Sequence, residues 1–288
     1  MERKMVGLGL TGLSVGLLML ARQKSSYNDA VPSVAHKKNS AFVFIKPHAN
    51  NFETQHTVNA ALLSKGLSIV QEGEFTGEQI DRDMLIDQHY YAIASKATLL
   101  KPEEIPVPEA KFKEFFGVSW KDALASKSVY NAIEACKYLE VDSEQLDALW
   151  AKCRKVKFGG GFYCGIIEKE GKKPIYVFNA FFMSMRSKFV TPGTSIHYYV
   201  VEFEPEELSW SDFRGKVLGP TDPHTAPKGS LRELLTTNWK GLGLAYEPTV
   251  GDNCVHASAS PFEGLAERMN WLKVQPENVS DALQCVVE

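Results

Sequence analysis

Ala41-Phe-Val-Phe-Ile-Lys46 is an apolar run stopped by Pro47, and Asn51 to Lys65 follows it with Phe52, Val58, Ala61 and Leu62 at helical spacing before Gly66. The first segment has the length and apolar character of a buried strand, and the second that of an amphipathic helix closed by a glycine free to adopt the left-handed conformation. Leu67–Phe75 reads as a second strand and Gly77 to about Ser95 as a second helix through Ile80, Met84 and Tyr91. After a long interruption the same rhythm resumes. Ile196–Phe203 is a strand, Glu206–Leu218 a helix containing Trp210 and Phe213, and Asn253–Ala257 a last strand. Ser260-Pro261-Phe262-Glu263 has the form of a capping box with proline at the first helical position, so a helix starts there. Phe262, Leu265, Ala266, Met269 and Leu272 form its apolar stripe. With 96–178 removed, strand and helix alternate four times with short connections. The expected fold is α+β: a ferredoxin-like four-stranded antiparallel sheet with flanking helices over 41–95 and 179–273.

The interruption has a different texture. Lys101-Pro-Glu-Glu-Ile-Pro-Val-Pro108 is a proline-punctuated boundary, and three helical patches follow at 109–116, 119–140 and 143–155. Gly159-Gly160-Gly161 precedes a hairpin of Phe162–Ile167 and Ile175–Phe182, turning at Glu170-Gly171. The region 96–178 is therefore expected to be a mostly helical insert with one hairpin. Lys152, Arg154, Lys155 and Lys157 read as a solvated helix end, with contact to an acidic surface or to nucleotide phosphates as the functional alternative.

The 288 residues carry 32 Lys+Arg against 35 Asp+Glu, a net charge of -3, without an extended basic stripe, so nucleic acid is not an expected partner. Hydrophobic residues at 44% supply a core and exclude global disorder. Five cysteines without a C-x-x-C pair or zinc-like spacing point to free thiols in a reducing compartment. Met5–Ala21 is uncharged, flanked by basic residues, and contains Gly12-x-x-x-Gly16, with no small-residue cleavage site after it. Residues 1–22 are expected to be an N-terminal transmembrane helix that anchors the chain, or alternatively a removed targeting segment; 23–40 is a linker and 274–288 a tail. An organellar membrane, mitochondrial by preference, is the expected home.

The chemistry concentrates in Asn253-Cys-Val-His256-Ala-Ser258-Ala-Ser260, at the junction between the last strand and its capped helix. A carboxylate on one imidazole nitrogen would leave the other nucleophilic, and Glu267 lies on the following helix. Lys46 ends the first strand, while Thr221 and Arg232 flank a Gly/Pro-rich loop. Cations that neutralise developing charge and a histidine that accepts the group are the parts phosphoryl transfer needs.

At these positions the chain resembles the nucleoside diphosphate kinases. Ile45-Lys46-Pro47, Lys65-Gly66, His89-Tyr90, Phe181-Phe182, Leu218-Gly-Pro-Thr221-Asp-Pro, Gly229-Ser-Leu-Arg232 and Asn253-Cys-Val-His256-Ala-Ser258 match that family's motifs in order. The resemblance implies that His256 is phosphorylated in an exchange between nucleoside triphosphates and diphosphates, with Glu267 and Ser258 orienting it. It implies that Lys46, Tyr90, Thr221, Arg232 and Asn253 hold phosphates and ribose, that Phe181 stacks on the base, and that Mg²⁺ is held through the nucleotide's phosphates rather than by a protein metal site. It also implies a homo-oligomer, a dimer built into tetramers or hexamers, with the insert and the anchor standing against the higher states.

The chain departs from the family at Ala259, at His48, in the insert and at Gly215, where the family has an arginine. Arg214 is adjacent, but one residue on an α-helix is about 100° of rotation, which directs it away from the phosphates. Arg186 interrupts an apolar run after Phe181-Phe182 and needs an anionic partner, either a phosphate or a core carboxylate; on the first alternative it supplies the missing cation. Two functions compete: a membrane-tethered kinase, and a kinase-fold accessory or scaffold subunit of an organellar membrane protein complex.

Overall fold

The computed structural model describes residues 38–276. The expected anchor at 1–22, the linker up to residue 37 and the tail beyond 276 lie outside these residues. Among those described, no helix is long and apolar enough to cross a membrane.

The chain builds β1 (Asn39–Ile45), α1 (Phe52–Ser64), β2 (Ser68–Thr76), α2 (Gly77–Arg82), α3 (Leu85–His89) and α4 (Tyr91–Ala94). Next come α5 (Glu109–Phe116), α6 (Trp120–Ala125), β3 (Val129–Tyr130), α7 (Ala132–Leu139), α8 (Ser143–Lys152), β4 (Arg154–Gly159), β5 (Phe162–Ile167) and β6 (Ile175–Phe178). The remainder is α9 (Phe182–Val190), β7 (Ser195–Phe203), α10 (Trp210–Asp212), α11 (Leu231–Thr237), β8 (Val255–Ala257) and α12 (Pro261–Leu272).

The principal sheet has strand order β2-β7-β1-β8. All its pairings are antiparallel. This is the ferredoxin-like arrangement expected from the alternation of strands and helices. Every residue of β1 is buried, because the strand is central and helices cover both faces. Ala41, Val43 and Ile45 point into a core with Val58 and Leu62 of α1 and Leu231 and Leu235 of α11. Phe42 and Phe44 point the opposite way, towards Ile80, Leu85, Phe189 and Trp271. A continuous apolar run rather than an alternating one is what such a two-sided strand requires.

Several expected helices are subdivided. The 77–95 segment breaks at Met84, whose φ of 51° is left-handed, and continues as α3 and α4. The segment expected as a helix over 206–218 is the short α10 followed by a π-helical turn, Phe213–Leu218. The insert is less helical than its sequence suggests: β3, β6, β5 and β4 form a second sheet in that order. The third helical patch stops at Lys152, so Arg154, Lys155 and Lys157 lie on β4 rather than at a helix end. Alternation of Lys155 and Lys157 with the buried Val156 is the period-2 signal that the charge run obscured. The second hairpin strand ends at Phe178. Asn179 then turns with a φ of 44°, and its amide donates to the carbonyls of Ile93 and Gly161.

The capped start of α12 is as expected, with Ser260 accepting from the Glu263 backbone, but its buried face is the opposite one. Gly264, Glu267, Arg268 and Trp271 face inward, while Phe262 is 73% exposed and Met269 39% exposed. Of the expected stripe, Phe262, Ala266 and Met269 lie on the outside, while Leu265 is half-buried and Leu272 packs against the Phe42 and Trp271 cluster. The helix is seated by a glycine, a carboxylate and an indole instead.

Candidate active site

His256 sits on β8 directly opposite Phe44 of β1, and the two rings stack with centroids 4.8 Å apart. Its Nε2 lies 2.6 Å from Oε1 of Glu267. The other carboxylate oxygen accepts from the Ser258 hydroxyl at 2.6 Å. Ser258 in turn accepts from the backbone N–H of Phe42 at 2.9 Å, so the strand pair itself holds the serine in place. With Glu267 ionised, the proton of the imidazole contact belongs to Nε2. Nδ1 is then the basic nitrogen, and it has no hydrogen-bond partner among the described residues. The strand–helix junction thus brings His256, Glu267 and Ser258 into one hydrogen-bonded group.

His89, at the end of α3, completes the group. Its ring meets that of His256 edge to face at 4.5 Å, and its Nδ1 accepts from the Trp271 indole N–H at 3.3 Å. The same nitrogen is 3.5 Å from Glu267 Oε1. Burial holds both histidines neutral: His89 at about 3, lowered further by His256, and His256 at about 3, lowered further by Arg214, Lys46 and Arg232 against the opposing pull of Glu263. Burial also raises Glu267, opposed by His89, the Ser258 hydrogen bond and Arg214. The sequence signal for His89 is its place one residue before Tyr90, at the end of a helical segment.

The trio His89, His256 and Glu267 has ligand atoms within 4.8 Å of one another. The Nε2–Oε1 pair stands at 2.6 Å, a hydrogen-bond spacing closer than two ligands take on one tetrahedral ion.

The cations come from separate elements. Lys46, just after β1, is held down at about 8 by burial and then by Arg232. Arg232, buried on α11, is held down at about 10 by burial and then by Arg214. Arg232 donates to the carbonyls of Gly219 and Val255, which fixes it between the loop and β8. Its Nε is buried without a partner. Arg214 donates to the carbonyl of Ala257, next to His256.

The position of Arg214 overturns the rotation argument made from sequence. Phe213–Leu218 is π-helical, and the Gly219 N–H bonds to the Arg214 carbonyl at 3.1 Å. An i→i+5 turn contains one residue more than an α-helical turn. Arg214, five residues before Gly219, therefore occupies the place that α-helical counting assigns to Gly215. Arg186 does not reach the site. Its Nε contacts both oxygens of Asp87 at 2.9 Å, and its Nη2 lies 2.7 Å from Asp81. A buried arginine needs an anion, and here the buried Asp87 and the exposed Asp81 supply it.

The remaining expected residues are dispersed around this centre. Tyr90 packs edge to face on His89 and shares a pocket of about 250 Å³ with Lys46, His48, Lys188 and Asp252. Asn253 donates its amide to the Thr221 carbonyl at 3.1 Å, so it positions that loop; its own Oδ1 is buried and unpartnered. Thr221 is exposed. The segment preceding Asn253 is tied down by Asp252, which accepts from Lys188 at 2.9 Å and from the Tyr246 hydroxyl at 3.0 Å. Phe181 turns towards the insert, against Trp150 and Tyr163, and is not among the residues lining the Lys46 pocket.

No family model matches the chain, and neither does any curated protein. Among solved structures it is similar to the nucleoside diphosphate kinase of Encephalitozoon cuniculi, at 15% identity and a TM-score of 0.40, over 83% of this chain and 92% of that one. It is also similar to the enzyme of Pyrobaculum aerophilum, at 16% identity and a TM-score of 0.39, over 84% of this chain and 98% of that one. A third is the enzyme of Borrelia burgdorferi with bound vanadate and ADP, at 14% identity and a TM-score of 0.38, over 86% and 96% of the two chains. The chain thus has structural similarity to nucleoside diphosphate kinases at low sequence identity.

Proposed function

We propose that the chain is a phosphotransferase in which His256 carries a phosphoryl group from a nucleoside triphosphate to a nucleoside diphosphate. The observation that supports this reading best is the charge arrangement. Lys46, Arg214 and Arg232 all act on one neutral imidazole, and Arg214 and Arg232 also depress the cations beside them. A buried cation and two half-buried ones that oppose one another form a site that favours an anion.

His256 Nδ1 attacks the terminal phosphorus, and the bond from that phosphorus to the bridging oxygen breaks. The nucleoside diphosphate leaves with the bonding electrons. The Nε2 proton remains in the contact with Glu267, which stabilises the positive charge that develops on the ring. Arg214, Arg232 and Lys46 meet the negative charge spread over the phosphoryl oxygens. A second diphosphate reverses the sequence. The carboxylate at His256 is Glu267, engaged by the imidazole and the Ser258 hydroxyl, and the other neighbours are an imidazole and cations rather than the oxygen cage that Mg²⁺ prefers. The ion would therefore enter bound to the nucleotide's phosphates, and no step is assigned to it.

Incubating the protein with γ-labelled ATP should yield an acid-labile, base-stable phosphoenzyme that a nucleoside diphosphate discharges. His256→Ala should remove it. A labelled protein with His256 replaced would exclude the assignment.

The accessory-subunit reading has one observation in its favour, the exposed Phe262 and Met269 on the outer face of α12. Absence of any phosphoenzyme from correctly folded protein would decide for it.

A further inference from the structure

The insert carries a pocket of about 400 Å³ lined by Trp150, Tyr163, Phe181, Lys155 and Lys157. The walls come from four elements. Trp150 is in the last turn of α8, Tyr163 is on β5, Phe181 immediately precedes α9, and both lysines are on β4. Phe181 is the hinge of the arrangement, 6.2 Å from the Trp150 ring at a tilt of 44° and 5.9 Å from Tyr163 edge to face. Rings set at angles around a cavity leave π-faces for a further planar group, whereas rings packed flat on one another would consume them.

The lysines are placed for the same occupant. Lys155 Nζ caps the end of α8 by donating to the carbonyls of Trp150 and Ala151, and lies 5.4 Å from the Trp150 ring centroid. Lys157 Nζ lies 5.7 Å from the Tyr163 ring centroid. Among the described residues neither ammonium has a carboxylate partner. Aromatic rings and two cations without a carboxylate partner, Lys155 keeping one N–H beyond its two carbonyl bonds, therefore line one cavity of a size that suits a small ligand.

From this we infer that the insert holds a second ligand site, specific for a planar aromatic ring bearing an anionic group, with a nucleoside phosphate as the ligand class. Both halves of such a ligand are met within the pocket: the ring by Trp150, Tyr163 and Phe181, the phosphate by Lys155 and Lys157. No residue lines both this pocket and the one at Lys46, so the occupant is a molecule distinct from one reacting at His256. The site does not depend on the reaction proposed above.

The test is the stoichiometry of labelled ADP by equilibrium dialysis on the full chain, with phosphoenzyme formation measured in parallel. The expected result is two ADP per chain. Phe181→Leu and Lys157→Glu should each leave one, with the second weakened about tenfold or more, the effect of losing one stacking face or one cation. Lys157 is exposed, so its substitution leaves the fold intact. Phosphoenzyme formation should persist in both variants. Unmodified protein that binds no ADP, or variants that bind as many ADP per chain as the unmodified protein and as tightly, would overturn the inference. Two ADP per chain without a phosphoenzyme would retain this site and remove the proposed transferase.

Discussion

Gly264 approaches Ser40 so closely that a Cβ at that position would lie 2.5 Å from the Ser40 carbonyl oxygen. This contact seats α12 on β1 and brings Glu267, one turn further on, beneath His256. Gly264→Ala would gain about 1 kcal/mol of helix propensity. The clash is with backbone, which cannot rotate away, and displacement of the helix should cost about 1–3 kcal/mol, the usual range for overpacking. The expected outcome is a net loss of stability in urea unfolding, with a larger loss of phosphoenzyme formation because Glu267 moves with the helix. A variant with unchanged labelling would show that the close approach does not position Glu267.

Arg214 and Arg186 should separate cleanly on substitution. Arg214→Ala is expected to lower the rate of His256 phosphorylation by ~100-fold, the scale of losing one donor to developing charge, with little change in unfolding. Arg186→Ala leaves Asp87 buried and uncompensated, which should destabilise the fold by about 3–5 kcal/mol. Its effect on labelling, measured well below the unfolding transition, should be small. The opposite pattern would restore Arg186 to the site.

The strands of the main sheet were legible because β1 is an unbroken apolar run and β7 lies in a segment, Ile196–Phe203, that reads as a strand in its own right. His256, Ser258 and Glu267 were legible because the chain places them within twelve residues around a capped helix start. Three features had no reliable local signal. A π-turn is a choice of hydrogen bond, and nothing in Phe-Arg-Gly-Lys-Val-Leu distinguishes i→i+5 from i→i+4. The inward face of α12 uses a glycine and two charged residues, so hydrophobic periodicity selects the outward face. The pairing of Arg186 with Asp87 joins residues 99 apart in sequence, which no spacing rule reaches.

Trp271 should govern the pH response of the site. Its indole N–H occupies Nδ1 of His89 and keeps that nitrogen from taking a proton and pairing with Glu267. In Trp271→Phe the donor is gone. A protonated His89 then competes with His256 for the carboxylate, and the acid limb of the labelling rate should move to higher pH. An acid limb at the same pH in folded variant protein would show that the indole only fills space.

Acid stability follows from the same two histidines. Both are held near 3 in the folded chain, against an ordinary value of 6.5. Between those limits the unfolded chain binds protons that the folded chain refuses. Stability is therefore fully present above about pH 6.5 and falls as the pH is lowered towards 3, by up to ~1.4 kcal/mol per pH unit for each histidine. Glu267 acts in the opposite sense, because burial raises it and the folded form takes its proton first, so it offsets part of the loss at the lower end of the window. Urea unfolding at pH 7, 6, 5 and 4 should show the decline, and His89→Gln should make it about half as steep while lowering stability at pH 7 through the lost indole contact. A slope unchanged by His89→Gln would mean that this imidazole is charged in the folded chain, and the tautomer assigned to it through Trp271 would be wrong.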